Sequence, residues 1–124
     1  YMKNGLLEIK YRLNFKPNIK SNSYILLESK CKKNDYQIHM SGDSKCDVVF
    51  DISKNLITND QQDWDSLNIP LKCFVENGLE TSSVTSMISL KANIPLDIDI
   101  HSIKLINKSD KSEKIDCSNF RLAS

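Results

Sequence analysis

WDSLNIPLKCF, residues 64–74, decides the fold class. A tryptophan leads into apolar positions at Leu67, Ile69, Leu71 and Cys73 that alternate with polar ones, Pro70 interrupts, and Phe74 closes the segment. A period of two marks a half-buried β-strand, and a proline inside it places the strand near a sheet edge.

The same period recurs on both sides of this segment. Leu7, Ile9, Tyr11, Leu13 and Phe15 alternate with Glu8, Lys10, Arg12 and Asn14, which predicts one buried face and one wet face. After Pro17-Asn18, residues 24–31 form a second strand, apolar on both sides at Ile25, Leu26 and Leu27, as suits the interior of a sheet. Tyr36, Ile38 and Met40 alternate in a third, and residues 47–52 form a short fourth, with a helical turn expected around residues 53–57. Beyond the Trp64 strand, residues 76–84 read as a loop, and two further strands follow at 85–92 and 96–106. In the last of these the apolar positions run Leu96, Ile98, Ile100 and then jump to Ile103 and Leu105. A β-bulge near Ser102 produces such a change of register. Seven to eight short strands separated by turn signals predict an all-β protein, an antiparallel β-sandwich of jelly-roll form.

The joint pattern of Trp64, the I-P-L-x-C-F core of residues 69–74, Gly78 and Val84, continued by SMISLKA at 86–92 and LDIDIHSIKL at 96–105, resembles one family. It is similar to the C-terminal galactose-binding-like domain of bacterial family 3 glycoside hydrolases, the ExoP-type exo-β-glucanases and β-glucosidases. Gly5-Leu6-Leu7-Glu8, the strand ending on Cys31, and Cys46 ahead of residues 48–52 fit more loosely. The resemblance implies that residues 1–124 are one accessory β-sandwich, a C-terminal fragment of a larger chain. Its partners would be the catalytic domains of that chain and a β-glucan or oligosaccharide, and no bond chemistry would occur in this segment. The tail, residues 107–124, lies beyond the expected pattern, and its role stays open.

Composition excludes other classes. Seventeen basic and sixteen acidic residues give a net charge of +1, with the lysines scattered among acids and asparagines, so no nucleic-acid partner is expected. The apolar runs are only a few residues long, against the roughly eighteen that a membrane span requires. A length of 124 residues suits one core. Lys3, Asn4 and Glu8 interrupt any apolar leader, so a signal peptide is expected far upstream of Tyr1.

Four cysteines allow three complete pairings. Cys31 and Cys46 bracket a polar hairpin containing Asn34-Asp35 and Ser41-Gly42-Asp43, and a disulfide between them would add about 3 kcal/mol in the chain-entropy model. Cys73 shares the apolar side of its strand and reads as a small buried hydrophobe. A disulfide would place the protein in the periplasm or outside the cell.

The candidate carbohydrate-binding residues are Trp64, Tyr36, His39, Asp97, Asp99 and His101. Asp97, Asp99 and His101 project from one side of a strand at intervals of roughly 7 Å, a spacing that suits metal ligands, a sugar site or simply the solvated side of an antiparallel sheet. Trp64 could stack on a sugar ring, or could cap the end of the core as the first residue of its strand. Tyr24, Tyr36 and His39 could line a groove with Asn34, Asp35 and Asp43, although the two tyrosines fit sheet packing equally well. No cofactor is expected. A structural calcium ion would find oxygen ligands at Asp43, Asp47, Asp51 and residues 60–65, though without EF-hand spacing. The chain carries no CxxC pair, no glycine-rich phosphate loop and no locally supported nucleophile and base, so catalysis by this segment is not expected. The alternative function is a structural or protein-interaction β-sandwich that binds no sugar.

Overall fold

A computed structural model describes residues 5–30, 47–56, 63–77, 87–107 and 117–123. Along the chain these residues form β1 (Gly5–Leu13), β2 (Ile25–Lys30), β3 (Asp47–Asp51), β4 (Asp65–Pro70), a one-turn helix α1 (Leu71–Val75), β5 (Met87–Ala92) and β6 (Ile98–Asn107). A 3-10 turn (Cys117–Asn119) and the two-residue strand β7 (Arg121–Leu122) follow. The strands pair in two antiparallel sheets, ordered β4-β1-β6 and β5-β2-β3-β7. The expected all-β sandwich of seven to eight strands is therefore present, with seven strands among the described residues.

Period-two patterning builds both sheets. Leu7, Ile9, Tyr11 and Leu13 of β1 are all buried, facing Leu67 and Ile69 of β4 on one side and Ile98, Leu105 and their neighbours of β6 on the other. Ile25 and Leu27 of β2 and Val48 and Phe50 of β3 supply the facing half, and the two sets merge into one hydrophobic cluster. β2 does lie inside its sheet, between β5 and β3. At about 25 cal/mol per Å² of apolar area removed from water, this shared core is the dominant favourable contribution to the fold. Where a helical turn is expected around residues 53–57, residues 52–55 form a tight turn closed by the Asn55 amide donating to the Ile52 carbonyl at 2.9 Å, and residue 57 lies outside the described residues.

The segment at 64–74 departs from expectation. The strand stops at Pro70 and the chain turns into α1, which buries Leu71, Cys73 and Phe74. Proline lacks the N–H that the ladder needs and ends the pairing there. Positions 71 and 74 are three apart, so their apolar side chains share a helix face; in so short a run that spacing competes with the period of two.

The helix also corrects the reading of Cys73, which is in a disulfide with Cys117, the two Cα atoms 5.4 Å apart. That separation lies in the ordinary range for a bridge. Tail residues 117–123 thereby join the fold: Phe120 is buried, edge-on to Phe50 with centroids 6.3 Å apart. The expected Cys31–Cys46 pair and the Tyr36–Met40 alternation lie outside the described residues.

Candidate functional site

The inward parity of Leu67 and Ile69 fixes where Trp64 points. Ser66 and Asn68 alternate with the buried Leu67 and Ile69 on the side away from the core, and Trp64, just ahead of β4 with the same parity, is 40% exposed. The core-capping alternative for this residue fails for that reason. Arg12 occupies the same outer side of β1, and its guanidinium carbon lies 4.6 Å from the Trp64 ring centroid. A cation over an indole face at an exposed site contributes about 0.5–1 kcal/mol.

The third strand of this sheet brings the remaining groups. Lys10 pairs with Ser102 and Tyr11 with Ile100, so His101 is the extra residue of a β-bulge, in the neighbourhood where the sequence pattern puts one. The bulge carries inward parity from Ile103 and Leu105 over to Ile98 and Ile100. It leaves His101 exposed, with its imidazole centroid 5.0 Å from that of Trp64 at an interplanar angle of 59°.

One residue pair further on, Arg12 stands opposite Asp99 and donates to its Oδ2 at 3.3 Å. The side-chain amide of Asn14 donates to Asp97 Oδ1 at 3.0 Å and to Asp99 Oδ2 at 3.2 Å. A backbone bond from the Asn14 amide to the Asp97 carbonyl, 2.9 Å, fixes this end of the strand pair. The Asn14 hydrogen bond first, and the Arg12 guanidinium second, hold the Asp99 carboxyl below its ordinary value. Both favour the charged form. Asp99 is thus a committed carboxylate acceptor, the opposite of what the general acid of a paired-carboxylate glycosidase requires.

Four of the six candidate residues, Trp64, Asp97, Asp99 and His101, therefore converge on one outer sheet face. Tyr36 and His39 lie outside the described residues. Sequence reasoning missed Arg12 and Asn14 as members of the site, although both stand on the wet side of the β1 alternation. Tyr24 is placed elsewhere, its backbone amide donating to Asn93 Oδ1 at 2.8 Å.

Among the described residues no three His, Cys, Asp or Glu side chains form a group able to hold a metal ion. Asp51, one of the expected calcium ligands, accepts from the backbone amides of Ile25 and Ser53 at 3.4 and 3.0 Å. A cavity of about 200 Å³ between the sheets is lined by Ile9, Leu27, Ile88, Leu90, Ile98 and Ile103 among others, and it offers a polar ligand few partners. Among the described residues no helix is long and apolar enough to cross a membrane.

The described residues thus form a two-sheet antiparallel sandwich with an aromatic and polar cluster on one outer face. The Exop_C family model, described as galactose-binding domain-like, matches residues 5–105. The chain belongs to that family. No curated protein and no solved structure gives a significant match.

Proposed function

We propose that this chain is a non-catalytic, carbohydrate-binding accessory domain of a family 3 glycoside hydrolase acting on β-glucans. It would support the catalytic domains of the same polypeptide, in the periplasm or outside the cell, where the Cys73–Cys117 disulfide is at home. The observation that carries this reading is the exposed Trp64 ring bordered by Arg12, Asn14, Asp97, Asp99 and His101. The exposed part of the indole, beside the area that Arg12 covers, would accept the C–H face of a pyranose, while two carboxylates and an imidazole would meet its hydroxyls. Two carboxylates against one guanidinium favour a neutral glycan over an acidic one.

The test is a calorimetric titration of the chain with β-1,3 and β-1,4 gluco-oligosaccharides, beside an acidic oligosaccharide of equal length. Saturable binding of a neutral ligand that weakens about tenfold or more in Trp64→Ala supports the proposal. A competing use rests on the Arg12–Trp64 pair, since tryptophan and arginine dominate protein-interface hot spots. On that reading the same face docks protein and the titration stays flat.

A further inference from the structure

The family match ends at residue 105, yet residues 117–123 pack on the fold, and two of them, Arg121 and Leu122, pair into the second sheet. Cys117 is covalently bound to Cys73 of α1. Phe120 closes an aromatic trio in which Phe50 also meets Phe74 edge-on, with centroids 5.2 Å apart. Arg121 and Leu122 pair with Asp51 and Phe50, and the Ala123 amide donates to the Val49 carbonyl at 2.9 Å. Asn55 adds a side-chain bond to the Asn119 carbonyl at 3.0 Å. Among the described residues, β3 would be the edge of its sheet without this segment.

A two-residue ladder is too short to hold itself in place, and its exposed, charged member Arg121 is the kind of residue that blunts a sheet edge. We infer that residues 117–123 are a disulfide-anchored strap that guards the β3 edge against strand addition by a second copy of the chain, and that breaking the Cys73–Cys117 bond releases it. In the releasing step a dithiol reductant gives two electrons and two protons. The S–S bond becomes two cysteine thiols, and the reductant leaves as its own disulfide. Access is through Cys117, which is partly exposed, whereas Cys73 is fully buried and stays as core. Freed of the strap, β3 presents unpaired backbone groups beside Phe50, a template for edge-to-edge pairing.

Hydrogen exchange and sedimentation velocity on the whole chain test this, comparing the oxidised protein with Cys117→Ser and with the folded protein treated with dithiothreitol. Chemical reduction keeps the test open if the substitution impairs folding, and the substitution isolates this bond from any other that the reductant reaches. The strap predicts that protection of the Ala123 amide falls at least about tenfold while Ile9 and Leu27 amides keep theirs. It also predicts new tryptic cleavage after Arg121 and concentration-dependent self-association. An Ala123 amide that stays protected overturns the inference, as does a uniform loss of protection through β1 and β2. A released strap on a chain that remains monomeric overturns the guarding role.

Discussion

The Arg12 guanidinium lies over the Trp64 ring, 4.6 Å from its centroid, while its NH2 group donates to Asp99 at 3.3 Å. One side chain therefore joins the outer faces of β4, β1 and β6 into a continuous surface. Arg12→Lys keeps the charge but loses the planar fork that makes both contacts at once. Because the pair is exposed, the change should cost under about 1 kcal/mol of stability, read by denaturant unfolding. It should nevertheless shift the emission of Trp64, the only tryptophan, to longer wavelength. An unchanged spectrum would show that the stacking does not persist in solution.

Asp99 makes the domain sensitive to acid. Its carboxyl sits below the ordinary value through Asn14 and Arg12, so its contribution is fully present above the unfolded-state value and is lost as pH falls through the folded one. Melting temperatures of the wild type and Asp99→Asn should differ near neutrality and converge as pH falls from about 5 towards 2. Parallel curves over that range would contradict this account.

His101 should be removable. Deleting it leaves Ile98, Ile100, Ile103 and Leu105 in strict alternation with Asp99, Ser102 and Lys104, so β6 becomes a regular strand with the same apolar residues on its inner side. The deletion is expected to fold with unchanged circular dichroism and to lose the imidazole beside Trp64. His101→Ala, by contrast, keeps the bulge. A deletion variant that fails to fold would show that the bulge is required by the sheet rather than by the surface it builds.

Phe50 is the centre of the aromatic trio with Phe74 and Phe120 and is 1% exposed. Phe50→Ala should cost about 3–5 kcal/mol in chemical denaturation, from lost burial and the cavity left behind. A loss below about 1 kcal/mol would mean that the trio is not rigidly packed in solution.

Most of the sandwich was legible in the sequence because each sheet buries one face, and a period of two is the direct trace of that burial. Leu7 to Leu13 of β1 and the parity break at Ser102 could be read residue by residue. α1 was not legible, because Leu67, Ile69, Leu71 and Cys73 continue the strand period across Pro70, and only the proline signals the change. The Cys73–Cys117 bond was hidden for the same reason: a cysteine assigned to a strand face has no evident partner in a distant tail. Of the site, Asp97, Asp99 and His101 lie within five consecutive residues at the start of β6 and were visible together. Their meeting with Trp64, Arg12 and Asn14 depends on strand order, which local periodicity does not encode. Trp64 was nonetheless readable as outward from the parity of Leu67 and Ile69.

The most direct test of the central claim is a titration of the isotope-labelled chain with laminari- and cello-oligosaccharides, followed by backbone and indole chemical shifts in wild type and Trp64→Ala. The account predicts saturable shifts confined to the Trp64 indole, Arg12, Asn14 and residues 97–101, absent in the variant. Saturable shifts centred elsewhere, or none with any β-glucan oligosaccharide, would contradict it.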